Sequence, residues 1–325
     1  MLRPMLLRTL PDLSSGDAEF AQAFHSKWGR ENCVIWGRAR HAEFGPYTHA
    51  LSIRAAWGGA QYCHVNGRSL AVDDDNFLIL NHGRVYATSI RSTLPVESFA
   101  ICFRPGLVER IYGAMAVSVE RAMEQADSMP EQSAEFMENL QPHDQCVTPV
   151  LRYIKAHLLN GLDEEAWYEE QLIFLLERMH QHHQRTLDRV SSLHLVRAAT
   201  RREIFRRISL ATDFLHTNFA ESWDLSKLAR MAYLSKYHFL RLFTLVHGVT
   251  PFAYLQRKRL SVARRLLEST ELPVGEVATS VGFATRSALL RQIRRTTGLS
   301  PLQVRSATAR LVSHRTLSPA SPRPA

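Results

Sequence analysis

No stretch of this 325-residue chain approaches the roughly 18 consecutive apolar residues of a membrane-spanning helix, so no transmembrane segment is expected. Residues 1–13 carry Arg3, Arg8 and two prolines but no sustained apolar core, and no secretory leader is expected either. Cysteine is scarce. Cys33, Cys63, Cys102 and Cys146 are widely spaced without a CxxC pair, which argues against a disulfide framework or a zinc knuckle and fits reduced, buried thiols in a cytoplasmic protein. His41, His49, His64 and His82 stand singly, without the H-x-H pair that a strand-borne iron or manganese site needs. Neither a metal nor a cofactor is therefore expected. The 45% hydrophobic content is that of a globular chain, and the length fits two domains with connectors.

What the chain does have is a repeat. The first copy runs Leu228-Ala229, Leu234-Ser235, Phe239-Leu240-Arg241, Phe243 and Gly248-Val249-Thr250-Pro251. The second runs Val277-Ala278, Ala284-Thr285, Leu289-Leu290-Arg291, Ile293 and Gly298-Leu299-Ser300-Pro301. The offset is 49 positions at the start and 50 from Ser235/Thr285 onward, a one-residue slip inside a turn. Two short helices joined by a tight turn and repeated at this distance read as tandem helix-turn-helix units. In the first copy, residues 225–231 have apolar spacings of three and four, and Ser235 is placed to cap a helix from Lys236 to about Val246. Phe239, Leu242, Phe243 and Val246 form its inward stripe. Gly248 suits a left-handed stop, and Thr250-Pro251 a cap followed by proline at the first helical position. In the second copy Gly282 provides a positive φ or a close helix approach, and Thr285 caps a helix that buries Leu289 and Ile293. Between residues 200 and 305 there are 18 Lys and Arg against 7 Asp and Glu, a net of +11, whereas the whole chain carries +9. The basic excess is confined to the repeated region, as expected of a phosphate-backbone binder.

Residues from about 208 to 305 resemble the DNA-binding domain of AraC/XylS-type bacterial transcription regulators. The resemblance rests on Leu228-Ala229, Ser235, Phe243, Gly248-Val249-Thr250-Pro251, Tyr254, Arg259-Leu260, Ala263, Leu266-Leu267, Val277-Ala278, Val281-Gly282-Phe283, Ser287 and Gly298-Leu299-Ser300-Pro301. It implies seven helices, with a linker helix from Pro251 to about Glu268 joining two reading units whose recognition helices enter successive major-groove segments. Ala288-Leu289 and Ile293 stand where the family usually has aromatic residues, a change that keeps apolar character. By matching position the base-edge readers are Tyr237, Leu240 and Arg241 in the first unit and Arg286, Ser287, Leu290 and Arg291 in the second. Lys236, Arg257, Arg294 and Arg295 are assigned to phosphates. As bare residues, Leu240 and Leu290 serve equally well in packing, and Arg294 in a local ion pair.

Upstream, residues 34–103 hold short apolar runs such as Phe77-Leu78-Ile79-Leu80 and Phe99-Ala100-Ile101-Cys102-Phe103. Turn clusters separate them, including an Asn66-Gly67 hairpin signal. Many short strands at this spacing predict a small barrel, which resembles the cupin-like effector domain that AraC-type regulators often carry. Arg54, Trp57, Tyr62, Tyr86 and Arg91 are the candidate effector-binding residues, and the same side chains serve equally to fill a barrel. Helices are expected over about 105–185. One carries a stripe of Tyr168, Leu172, Leu175, Leu176 and Met179, read either as intramolecular core or as a dimer seam. His180, His182 and His183 are placed at its solvated end, residues 186–199 form a connector, and residues 306–325 an unstructured tail.

The expected class is α+β: an N-terminal cupin-like β-barrel with helices over residues 1–195, and an all-α DNA-binding domain over 200–305. The function expected is that of a cytoplasmic, homodimeric transcription regulator, not an enzyme, that reads a double-stranded DNA operator under a small-molecule effector and contacts RNA polymerase. The competing reading is a cupin-type metalloenzyme fused to a DNA-binding module.

Overall fold

The computed structural model describes residues 5–8, 10, 30–48, 50–116, 135–162, 164–191, 198–300 and 303–305. The expected tail at 306–325, His49, Pro301 and residues 192–197 of the expected connector lie outside them. Contacts divide the chain into two compact units, 1–209 and 210–325. The division falls inside a helix, about ten residues beyond the expected boundary.

The first unit is sheet-rich. Its strands are β1 (Met5–Leu7), β2 (Cys33–Thr48), β3 (Ser52–Trp57), β4 (Gln61–Val65), β5 (Arg68–Val72), β6 (Asn76–Leu80), β7 (Val85–Cys102) and β8 (Leu140–Pro142). They form one sheet in the order β1-β2-β7-β3-β6-β8, with β4 paired to both β5 and β7. The 18-residue β7 works in two halves: Tyr86–Ile90 is opposite β4, and Glu97–Cys102 is opposite β3. The β4–β5 hairpin closes on Asn66 and Gly67, both with positive φ of 51° and 70°, the conformation that an Asn-Gly turn supplies.

Strands β3 and β6 are buried on both faces, which explains why Phe77-Leu78-Ile79-Leu80 is apolar without alternation. Ile53, Ala55, Phe77 and Ile79 pack beneath helices. Ala56, Leu78 and Leu80 face a second core with Cys63, Leu70, Tyr86 and Ile90. Helices α1 (Leu107–Ala116), α2 (Thr148–Leu159) and α3 (Glu165–Ser191) cover the first face. Tyr168, Leu172, Leu175, Leu176 and Met179 of α3 are completely buried within this one chain, so the stripe is intramolecular core. At about 1.5–3 kcal/mol for each fully buried side chain, that burial outweighs helix propensity in holding a 27-residue helix.

Two sequence expectations need correction here. Helix α3 continues through residues 186–191, so the connector is shorter than expected. Consequently His180, His182 and His183 are not at a solvated helix end. They pack in rings against Tyr112, Phe77 and Phe136, and His182 Nδ1 lies 2.8 Å from Asp144 Oδ2. Burial lowers the pKa of His180 and of His183. In addition, strands β1 and β8, three residues each, have no sequence signal of their own. The segment carrying β8 is held by long-range polar contacts, namely reciprocal hydrogen bonds between Asn81 and the Phe136 backbone and an Arg84–Glu138 ion pair at 2.8 Å.

The second unit is helical: the part of α4 (Ala198–Thr217) beyond residue 209, then α5 (Leu225–Met231), α6 (Lys236–His247), α7 (Pro251–Ser269), α8 (Val274–Ser280) and α9 (Arg286–Thr297). No described helix is long and apolar enough to cross a membrane.

Candidate nucleic-acid interface

The two helix pairs α5–α6 and α8–α9 are built from the same backbone contacts. After α5, the Tyr233 amide donates to Arg230 O and the Leu234 amide to Ala229 O. After α8, the Gly282 amide donates to Thr279 O and the Phe283 amide to Ala278 O, the same pattern 49 positions later. Both turns pivot on a residue of positive φ, Tyr233 at 54° and Gly282 at 83°. The side chain of Tyr233 projects into solvent, at 74% exposure, so the first unit tolerates a β-carbon there. At Gly282 a Cβ would lie 2.3 Å from Ala220 O, so both φ and space require glycine.

Caps then start α6, α7 and α9 where the sequence signals placed them. Ser235 Oγ accepts from the His238 amide, Thr250 Oγ1 from the Ala253 amide at 3.2 Å, and Thr285 Oγ1 from the Ala288 amide at 3.1 Å. Asp224 caps α5 by accepting from the Lys227 amide at 2.8 Å. This last cap went unread, although an aspartate just ahead of an apolar-periodic run is its usual signature. Gly248 and Gly298 end α6 and α9 in the left-handed conformation, with φ of 69° and 71°.

Packing decides which faces remain. Phe239, Leu242 and Phe243 bury one side of α6, and Leu289 and Ile293 one side of α9. Tyr237 is left 72% exposed and Leu240 37%, beside exposed Lys236 and Arg241. On α9, Arg286, Ser287, Arg291, Arg294 and Arg295 are exposed, and Leu290 is half-buried. Arg257 is exposed on α7. Among the described residues, none of Lys236, Arg241, Arg257, Arg286, Arg291, Arg294 and Arg295 has an ion-pair or hydrogen-bond partner. Their neighbours behave differently: Arg264 pairs with Glu268 at 2.7 Å, and Arg305 donates to Leu272 O at 2.6 Å. These seven cations, six of them on the two reading helices, are donors that a polyanion satisfies. Among the described residues, Arg294 forms no local ion pair.

The five candidate effector residues are not brought together. Arg54 and Tyr86 meet in the interior beside Cys63 and Cys102, where Arg54 Nη2 donates to Tyr86 Oη and the guanidinium stands 4.7 Å from the ring centre. Burial, partly offset by Arg54, pushes the Tyr86 phenol up to about 12. Trp57 is on the opposite face of the sheet, under Lys155 Nζ at 3.9 Å and next to Phe99. Tyr62 is half-buried and points away from neighbouring Cys63, while exposed Arg91 pairs with Glu43. The expectation failed because strand alternation sends adjacent candidates to opposite faces. Arg91 does line an open cleft of about 880 Å³ with Trp36, Arg38, His41 and Phe44. His41, His64 and His82 are all exposed, and His64 Nε2 lies 2.9 Å from Ser89 Oγ.

Residues 228–307 match the family model described as a helix-turn-helix domain. The chain is 31% identical over 98 residues to the bifunctional transcriptional activator/DNA repair enzyme AdaA of Bacillus subtilis (strain 168), covering 30% of this chain and 46% of that protein. It is 32% identical over 92 residues to the virulence regulon transcriptional activator VirF of Yersinia enterocolitica, covering 28% of this chain and 34% of that one. Among solved structures, the DNA-binding domain of AdpA, crystallised with a target DNA, is 31% identical with a TM-score of 0.31, covering 34% of this chain and 98% of that one. The matched part spans less than half the length of these two curated relatives.

Proposed function

Because residues 228–307 are an AraC-type helix-turn-helix domain, we propose that the protein is a sequence-specific transcription regulator that reads a double-stranded DNA operator with α6 and α9. The observation that carries this reading is the pair of matched, capped helices that present Lys236, Arg241, Arg286, Arg291, Arg294 and Arg295 without a side-chain partner among the described residues. Arg241, Arg286 and Arg291 each bring a planar fork suited to the O6 and N7 edge of guanine. Tyr237, Leu240 and Leu290 offer apolar contact to a thymine methyl, and Ser287 a hydroxyl. Lys236, Arg257, Arg294 and Arg295 supply phosphate contacts that position the helices without selecting sequence.

In this reading the sheet-rich first unit is a cupin-like effector and dimerisation domain that catalyses nothing. The cleft bounded by Trp36, Arg38, His41, Phe44 and Arg91 combines aromatic and cationic side chains, which suits a small organic ligand better than the filled interior around Arg54. With the α3 stripe spent on the core, pairing of two chains falls to the outer residues Tyr153, Ile173 and Phe174. The setting is the cytoplasm, and RNA polymerase is the expected protein partner. Selection of bound duplexes from a random library by the full-length protein tests the function. One enriched sequence is expected, and equal retention of all duplexes contradicts it.

A further inference from the structure

Of the four residues that follow α4, three have their carbonyls bonded by side chains. Trp223 Nε1 donates to Asn218 O at 2.9 Å. Arg259, in the middle of the linker helix α7, donates through Nε to Phe219 O and through Nη2 to Glu221 O, both at 2.7 Å. The carbonyl between them, Ala220 O, faces Gly282 so closely that a Cβ there would meet it at 2.3 Å and Arg259 Nη2 at 2.9 Å. Three pieces of chain therefore meet at one joint. Segment 218–221 leads through Trp223 and the Asp224 cap into the first reading unit, Arg259 belongs to the linker, and Gly282 is the turn of the second unit. The Phe219 side chain packs on the core of the second unit although it precedes the first in sequence. Arg259 is 8% exposed and its partners are carbonyls, so its fork is committed to holding backbone.

We propose that Arg259 is a positioning residue for DNA reading: without touching DNA, it fixes the angular phase between α6 and α9 and so the spacing of the two base-pair segments the domain accepts. This inference rests on the DNA-reading function proposed above. A single linker helix sets an axis but leaves rotation about that axis to whatever packs on either side. A duplex turns once in about 10–10.5 base pairs, so a one-base-pair change in spacing demands about 35° of slack between the reading helices. A guanidinium bonded to two carbonyls two residues apart restricts distance and rotation together. A lysine ammonium brings the same charge as a single, freely pivoting donor head and cannot reproduce that restraint.

The test compares full-length wild type with Arg259→Lys on duplexes whose two reading segments are held at the selected spacing or at one base pair more or less. Wild type is expected to prefer one spacing. The variant should lose about tenfold of that preference, on the scale of one disrupted base-pair contact, while keeping its base preferences within each segment. A readout that needs no DNA accompanies this: the distance distribution between spin labels at Tyr237→Cys and Arg291→Cys in the full chain, whose four native cysteines are all buried. It should be narrow in wild type and broad in Arg259→Lys. Trp223→Phe, which breaks the other end of the joint, should broaden it too and serves as the second variant if the lysine substitution unfolds the domain. A folded Arg259→Lys protein with unchanged spacing preference and unchanged distance overturns the proposal, as does an unaltered distribution in Trp223→Phe. If wild type selects no sequence at all, the DNA-reading function fails, while the label distances still judge the joint.

Discussion

At the scale of single residues, the account separates side chains by whether the fold already satisfies them. Arg291 is exposed on α9 and unpaired among the described residues, so Arg291→Ala should weaken operator binding by about 1–3 kcal/mol and relax preference at one or two base pairs. A selection profile identical to wild type would remove it from the base readers. Arg257→Ala should instead weaken all duplexes alike and reduce the slope of log K against log salt by about one, measured by titration across ionic strengths. The two left-handed turn residues make a sharper contrast. Gly282→Ala places a Cβ 2.3 Å from Ala220 O at a φ of +83°, and should lower stability by more than about 2 kcal/mol. Tyr233→Ala, at the equivalent position facing solvent, should stay within about 0.5 kcal/mol of wild type. Thermal unfolding of the two variants side by side checks the pair.

At the scale of elements, caps and periodicity made the second unit readable. Ser235, Thr250, Thr285, Gly248 and Gly298 each sit where a local rule puts them, because a cap or stop is decided within four residues of chain. The first unit resisted for the opposite reason. Strand β8 exists only because it pairs Leu140 with Leu78 and because Glu138 and Phe136 bond to residues more than fifty positions away. The α3 stripe could be read from its spacing, yet only packing decides that its partner is the sheet of the same chain. Nor could the effector candidates be sorted without knowing which face of β3 and β7 each side chain joins. One element-scale prediction concerns the turn that leads into α2, which Asp144 holds. Its Oδ1 accepts from the amides of Cys146, Val147 and Thr148, and its other oxygen meets His182. Burial opposes ionisation, but the hydrogen bonds prevail and hold the carboxyl at about 2, below the usual value near 4 for an unfolded aspartate. The folded value being the lower, this stabilisation is present above about pH 4 and is lost as pH falls toward about 2. Asp144→Ala should cost about 1–2 kcal/mol near neutrality, and the difference from wild type should shrink over that acid window in pH-dependent melts. A difference that stays constant with pH would mean that the carboxylate contributes nothing through its charge.

At the scale of the whole molecule, the two units have separate cores, and α4 runs across the division between them. A fragment of residues 198–305 keeps α4 whole together with both reading helices, the linker and the joint at residues 218–221. It should fold alone and bind a single operator site, with its two segments, as a monomer. Relative to the full chain it should lose affinity for doubled sites, because tethering two DNA domains raises the effective concentration of the second. Sedimentation of the fragment and the full chain on single and double sites measures this, and a full-length protein that remains monomeric and gains nothing on the double site contradicts the proposed pairing. The central claim is sequence-specific reading by α6 and α9. The most direct measurement is enrichment from a random duplex library by full-length wild type and by the double variant Arg241→Ala/Arg291→Ala. The account predicts one enriched motif of two segments about a helical turn apart, with information lost from both segments in the variant. Equal affinity for every duplex, or a motif that survives the double substitution intact, would contradict it.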